Sequence, residues 1–445
     1  MALAGIEFLV LTAVPSIARA LLGMAPVAWS WQTSPVYAAC GVVALLAMGL
    51  YSRRQRSRLA GILLRVAAAL PFAGVAIVLQ SYLFPTLGME RQVFVLAAPL
   101  AFTAVAVTRT VFEAMVDDEV FKRRVLVYGA GKRASNIMQL RRRSDTRGFV
   151  IVGFALTEGD ELLVPHERLV DPPASLLPFC RANDVDEIVV AMDDRRRSFP
   201  VHELLECRLA GIAVTDLVDF LESESGKVHL DVLNPSWIIF APGFSRGLVR
   251  LLTERLFDVT ASIALLALAW PLMLLTALAI KLEDGPRAPV FYRQARVGLE
   301  GRRIELLKFR SMRIDAERGG AAVWAVKGDP RVTRVGALIR KTRLDELPQL
   351  LGVLSGDMSL VGPRPERPEF VRELEQSIPY YRERHSVKPG ITGWAQLCYP
   401  YGASADDAAE KLQYDLYYVK NHGLLFDIVI LLQTAEVVLW GKGAR

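Results

Sequence analysis

Residues Lys341 to Glu366 read KTRLDELPQLLGVLSGDMSLVGPRPE, and the organisation of the chain follows from this stretch. An adjacent acidic pair, Asp345 and Glu346, sits between Arg340 and Arg364. On a helix, neighbouring side chains diverge by about 100°, so the two carboxylates cannot share one proton as a facing dyad would. Separate jobs are therefore expected. A carboxylate can attack phosphorus and form an acyl phosphate, dividing one hard transfer into two easier ones. Its neighbour can hold a divalent metal or handle a proton. Arg364 lies in Gly362-Pro363-Arg364-Pro365, whose prolines stiffen the backbone, and a planar guanidinium on a stiff turn suits a phosphate fork. The plainer alternative is a helix start with acids in its first turn, where the dipole favours them.

Three more motifs surround this stretch. Lys308-Phe309-Arg310-Ser311-Met312 and Asp329-Pro330-Arg331 precede it, and Val387-Lys388-Pro389-Gly390-Ile391-Thr392-Gly393-Trp394 follows GDMSLVGPRPE. In that order, over roughly residues 250 to 440, they resemble the bacterial sugar transferase family, the monotopic phosphoglycosyl transferases. The resemblance implies transfer of a sugar 1-phosphate from a UDP-sugar to undecaprenyl phosphate, with release of UMP, as the first step of exopolysaccharide or other surface glycan synthesis. It further implies Asp345 as nucleophile, Glu346 for metal or proton handling, and Mg²⁺ or Mn²⁺ held near the pair. Lys308, Arg310, Arg331, Arg340 and Arg364 are the expected phosphate-binding residues. Ala295 stands where the pattern commonly has glutamate, so that position receives no role.

The rest of the chain fits a membrane protein. Its 445 residues allow two or three domains, and 52% are hydrophobic with a net charge of +6. The mean hydropathy of +0.29 is high for an ordinary soluble protein. Cys40, Cys180, Cys207 and Cys398 form no CxxC pair, and the five histidines show no ligand spacing, so the thiols read as reduced and no zinc site is expected. Residues 1–120 lack charge from Arg19 to Arg53, from Arg65 to Glu90 and from Arg91 to Arg109. A span needs about 20 apolar residues, so four passes are predicted near 5–24, 34–51, 64–85 and 92–113. The basic stretches Ser52 to Arg56 and Lys122 to Arg124 belong in the cytoplasm, and the uncharged Ala25 to Pro35 outside.

Residues 121–234 read as a Rossmann-like α/β module. Val125 to Tyr128 is a short apolar strand running into Gly129-Ala130-Gly131-Lys132-Arg133-Ala134, which matches G-x-G-x-x-A and offers a helix start to a phosphate. Gly129 and Gly131 are candidate nucleotide-binding residues. No acidic residue closes the second strand, Phe149 to Ala155, so an interaction or regulatory role is the alternative. Val185 to Ala191, Cys207-Arg208-Leu209 and Ser225-Gly226-Lys227-Val228 resemble the subgroup associated with exosortase-linked exopolysaccharide loci.

After a linker at 235–250, a domain over 251–445 begins with an apolar run, Phe257 to Ile280, that carries one charge, Asp258. Basic residues flank it on both sides, which keeps both ends cytoplasmic, and Pro271 at its middle can fold it into a hairpin. A re-entrant helix near 256–281 is therefore expected. Trp270 stands where the family pattern usually has a small polar residue. Leu424 to Trp440 is interrupted by Asp427, Gln433 and Glu436, which suits an interfacial helix. The aromatics Tyr380, Tyr381, Trp394, Tyr417 and Tyr418 suit either headgroups or core.

The expected architecture is thus a membrane α-helical bundle, a Rossmann-like α/β module and a mixed α/β monotopic catalytic domain in the bacterial inner membrane. Its partners would be the UDP-sugar, undecaprenyl phosphate, the lipid bilayer and a second copy in a homodimer, with no nucleic acid. Two alternatives stay open. A nucleotide-sugar dehydratase needs Tyr-x-x-x-Lys, which occurs only as Tyr128 to Lys132 inside the glycine turn, and a non-catalytic assembly scaffold needs no intact acidic pair.

Overall fold

The computed structural model describes residues 2–24, 30–51, 59–84, 89–115, 122–140, 143–146, 148–170, 175–195, 199–233, 243, 247–313, 331–399 and 404–440. The expectations for Ser52 to Arg56, Asp329-Pro330 and most of the linker fall outside these residues. The chain divides into two compact units, Met1–Leu233 and Asn234–Arg445.

The first unit opens with four helices, α1 (Ala2–Leu21), α2 (Ser30–Ala47), α3 (Leu59–Leu83) and α4 (Arg91–Met115). Three of them are long and apolar enough to cross a membrane; the apolar part of α2, Thr33–Leu46, is shorter than the predicted second pass. Small residues let the helices approach: α1 packs on α2 and α4 through positions such as Ala18, Ala38 and Ala97, all fully buried. One ion pair is sealed inside. The Glu7 carboxylate, fully buried, accepts from Arg109 Nη2 at 3.1 Å and from Tyr51 Oη.

The sequence then switches to short β-branched runs, and a five-stranded parallel sheet forms. Its strands are β1 (Arg123–Tyr128), β2 (Phe149–Ala155), β3 (Leu169–Val170), β4 (Glu187–Val190) and β5 (Ala213–Asp216), in the order β3-β2-β1-β4-β5. A parallel sheet needs crossovers that cover its faces, and helices α5 (Lys132–Met138), α6 (Leu176–Ala182), α7 (Val201–Leu209) and α8 (Leu217–Ser225) supply them. Leu126, Ile188, Val190, Met192, Cys180 and Cys207 form one side of the core.

The second unit is organised on α9 (Leu248–Asp284), a 37-residue helix with Pro271 inside it. Pro271 removes a single N–H donor, and the helix runs unbroken across it to Asp284. Both ends are tied to the same unit. Near the start, Arg255 donates to the carbonyls of Val353 and Leu354 (2.6 Å each), in the last turn of the helix Gln349–Ser355, and Asp258 accepts from the backbone of Leu360 at 3.0 Å. Near the end, Ile280 packs on Phe309 and Ile339, while the Glu283 carboxylate accepts from the N–H groups of Arg334 (2.8 Å) and Val335 (3.0 Å). Each terminus of α9 thus caps another helix with the charge that helix end prefers. Between them Leu268 (78% exposed), Trp270, Leu274 and Leu275 face outward.

An antiparallel hairpin, β6 (Phe291–Val297) with β7 (Arg303–Phe309), precedes α10 (Arg334–Lys341), a 3-10 turn at Leu344–Glu346 and α11 (Gln349–Ser355). Then β8 (Ser359–Val361) pairs in parallel with β9 (Gly390–Thr392), with α12 (Pro368–Ser377) between them. Last come α13 (Ala405–Asn421), which starts with a capping box at Ser404 and Asp407, and α14 (Leu424–Trp440). Asp427 of α14 is buried and accepts from Tyr418 Oη at 2.9 Å. Of the five aromatics, Tyr381, Trp394, Tyr417 and Tyr418 are core residues, each under a tenth exposed.

Candidate active site

Asp345 and Glu346 lie on the 3-10 turn between α10 and α11, not within a regular helix. The chain enters the turn through Arg343, whose φ of 58° is in the left-handed region, an uncommon state for a residue with a Cβ. This bend ends α10 and turns both carboxylates toward β7 and the Gly362-Pro363-Arg364-Pro365 segment.

The two acids meet different surroundings. Glu346 Oε1 accepts from Lys308 Nζ and from Arg364 Nη2, both at 3.1 Å, and its Oε2 lies 3.8 Å from Arg343 Nη1. Burial alone would raise the Glu346 pKa, but Arg364, Lys308 and Arg343 outweigh it and hold the carboxyl down at about 2. Asp345 is 8% exposed, and among the described residues its Oδ1 has no hydrogen-bond partner. Burial, and then the charge of Glu346, raise its pKa above the usual range, against the opposing pull of Lys308, Arg343 and Arg340. Lys308 is itself shifted down by burial and by Arg364. One carboxylate is therefore a fixed counter-charge, and the other is left with an uncommitted, electron-rich oxygen.

The segment carrying Arg364 is held at consecutive residues. Gly362 N–H donates to Thr392 (2.9 Å), Pro363 carbonyl accepts from Gly390 N–H (3.0 Å), Arg364 carbonyl accepts from Arg384 (3.0 Å), and Pro365 carbonyl accepts from Arg296 (3.0 Å). A Cβ on Gly362 would lie 2.4 Å from the carbonyl oxygen of Lys388, so only glycine lets the two motif segments touch. Arg384 is anchored in turn by Asp415, with its Nη2 at 2.8 Å from the carboxylate and both side chains nearly solvent-free.

Of the residues expected at the site, the structure brings together Asp345, Glu346, Lys308 and Arg364, with Arg340 close enough to act electrostatically on Asp345. Arg310 is placed elsewhere: its guanidinium donates to Asp284 at 2.6 Å and ties the end of α9 to the strand. Arg331 pairs through its backbone with Arg313 at 2.9 Å. The sequence reading did not single out Arg343, Arg296, Arg384 or Asp415. Arg343 stood inside the quoted stretch as a third cation, whereas the other three come from distant segments with no local signature.

A divalent cation fits this donor set only in part. Mg²⁺ takes one or two carboxylates and fills its shell with phosphate and water, and the open Asp345 Oδ1 suits that. Glu346 is engaged by three cations and would have to release them. Among the described residues no group of three or more His, Cys, Asp or Glu forms a metal cluster.

The glycine turn of the first unit is built differently. A Cβ on Gly131 would meet Asp193 Oδ2 at 2.0 Å. Asp193 accepts from the N–H groups of Lys132 and Arg133 (2.8 Å each), and Asp160 from that of Ala130 at 2.9 Å. The donors that a phosphate at Gly129 and Gly131 would need are spent on the protein's own carboxylates.

A buried acid beside a clamped acid and a ring of cations has the charge arrangement that phosphoryl transfer requires. Residues 249–441 match the Bacterial sugar transferase family. The chain is 43% identical over 242 residues to the UDP-N-acetylgalactosamine-undecaprenyl-phosphate N-acetylgalactosaminephosphotransferase of Aeromonas hydrophila, covering 54% of this chain and 56% of that protein. It is 35% identical over 336 residues to the UDP-glucose:undecaprenyl-phosphate glucose-1-phosphate transferase of Xanthomonas campestris pv. campestris, covering 72% and 67%. The exopolysaccharide production protein PSS of Rhizobium leguminosarum bv. phaseoli is 41% identical over 199 residues, 98% of its length but 43% of this chain. The chain belongs to the bacterial sugar transferase family.

Proposed function

We propose that this protein transfers a sugar 1-phosphate from a UDP-sugar to undecaprenyl phosphate, releasing UMP, as the first step of exopolysaccharide or related surface glycan synthesis. The observation that carries the reading is the free, buried Oδ1 of Asp345 beside a Glu346 already neutralised by Lys308 and Arg364. Relatives named for N-acetylgalactosamine and for glucose leave the sugar to experiment.

The mechanism is a two-step displacement. Asp345 attacks the β-phosphorus, forming an acyl phosphate to the sugar phosphate; the bond to UMP breaks and UMP takes the electron pair. A phosphate oxygen of undecaprenyl phosphate then attacks the same phosphorus and Asp345 leaves, giving the lipid diphosphate sugar. Lys308, Arg340 and Arg364 stabilise charge on the transferring group, and Arg364 is preorganised by the bonds to its segment. Asp345, with the diphosphate oxygens, would hold a Mg²⁺ whose bound charge offsets that of the diphosphate. Glu346 keeps the two basic residues in place, and its low pKa reserves it for charge rather than for proton handling. Arg310 and Arg331 serve the framework in this reading.

α9 is read as a re-entrant membrane helix: both ends dock on one unit while the outward leucines between them enter the bilayer from the cytoplasmic side of the inner membrane. The parallel sheet of the first unit, whose order reverses between β1 and β4, is read as a Rossmann-like module serving interaction or regulation, and as the surface for a homodimer.

The deciding experiment incubates the purified protein with Mg²⁺, undecaprenyl phosphate and a panel of UDP-sugars, beside Asp345→Asn. UMP from the wild type alone establishes the reaction and names the sugar. Release of UDP, or of no nucleotide with active controls, overturns it.

A further inference from the structure

Three cations surround Glu346, and they are not equivalent. Lys308 (18% side-chain exposure) and Arg364 (40%) both hydrogen-bond the same oxygen. Arg343 is 61% exposed and reaches the other oxygen only at 3.8 Å, a contact too long for a hydrogen bond. Its backbone is the strained one, in the left-handed region where a glycine or asparagine would sit at less cost. The left-handed φ belongs to the bend that ends α10, and the same bend leaves the Arg343 side chain mostly in solvent beside the two acids.

The position of the turn indicates which purpose. Leu344, the next residue, packs against the cluster of Ile280, Phe309 and Ile339 that Met273 and Ala277 of α9 also cover, so the turn lies against the C-terminal half of the helix, a short way past Pro271. Leu282 of α9 (86% exposed) and Leu338 of α10 (61% exposed) add apolar surface from the two neighbouring elements. A phosphate carried on a lipid would travel along this apolar flank and meet Arg343, the most exposed of the three cations, first.

We infer that Arg343 is a binding residue for the phosphate of the incoming lipid acceptor, and that it guides that phosphate toward the phosphorus held on Asp345. This rests on the proposed reaction. A guanidinium with most of its donors turned to solvent offers a two-pronged fork to a phosphate monoester. Its long-range pull on Glu346 places it within reach of the reacting centre.

The test uses the full chain in lipid nanodiscs, with Arg343→Ala and Arg343→Lys. Two rates are followed: UMP release against undecaprenyl phosphate concentration, and exchange of labelled UMP into the UDP-sugar without acceptor. Arg343→Ala should raise the acceptor KM about tenfold, the scale of one charge-assisted phosphate contact, while exchange falls by a much smaller factor. Arg343→Lys should recover part of the loss, and the salt dependence of the acceptor KM should weaken in the alanine variant. An acceptor KM within about twofold of wild type, or an equal loss in exchange and in the UDP-sugar KM, overturns the assignment. Failure of the underlying reaction is seen separately, as a wild type that yields no UMP.

Discussion

The glycine turn at Gly129 to Arg133 and the acidic turn at Leu344 to Glu346 both present positive groups where a phosphate could bind, and they differ in what those groups are already doing. At the glycine turn Asp193 and Asp160 take the backbone donors, and the arrangement is closed. At the acidic turn Lys308 and Arg364 are held by one oxygen of Glu346, while Asp345 Oδ1 and most of the Arg343 fork remain uncommitted. A phosphate site is defined by unspent capacity more than by the residues that line it.

The strongest way to break the contrast is at the open oxygen. Asp345→Asn should reduce UMP release by roughly three orders of magnitude or more, because the amide cannot form the acyl phosphate. Retained turnover in that variant would mean that the free oxygen is incidental. Next in size, Lys308→Met should lower kcat by about 100-fold, the scale of one lost transition-state donor; steady-state kinetics at saturating substrates reads this directly.

The pH profile sharpens the comparison from another side. Asp345 must be ionised to attack, and burial and Glu346 raise its pKa, so activity is lost as pH falls through a value above the ordinary carboxylate range. Glu346, at about 2, stays charged throughout that window. In Glu346→Gln the second cause of the elevation disappears and Lys308 and Arg364 lose their counter-charge. The acid limb of the acceptor-free exchange reaction should then move to lower pH; a limb that stays or rises contradicts the assignment.

The closed site gives the smallest effects. Hydrogen exchange with UDP present should slow around residues 343–366 and leave 129–134 unchanged, and protection at the glycine turn would show that its carboxylates yield to a ligand. Asp193→Ala should cost about 1 kcal/mol, as for a lost helix cap, measured as a lowered unfolding temperature.

Much of this arrangement was legible in the sequence because short motifs in fixed order carry the acids and their partners. Lys308, Glu346 and Arg364 are far apart along the chain yet meet as the motif order implies. The placement of Arg310 was not legible, for a local reason. It lies just beyond the last residue of β7, its N–H is used by Val290, and its side chain turns to Asp284. The Arg384 to Asp415 pair, which holds the Arg364 carbonyl, has no linear pattern at all and required the packing of α13 against the segment after α12. The glycine match was equally opaque, since Asp160 and Asp193 come from the loops after β2 and β4. Pro271 read as a point where the helix can fold back, and the helix runs unbroken across it because only one donor is missing.

That helix is moored at both ends, by Arg255 at one and by Glu283 and Asp284 at the other. In the membrane-inserted reading, a body moored twice cannot bob or tilt freely as a singly tethered one does. The length of exposed helix between the moorings then sets the draught at which the reaction centre rides, about 1.5 Å for each residue added or removed. The depth of Asp345 becomes a built dimension of the protein, matched to a lipid whose phosphate keeps its own fixed level.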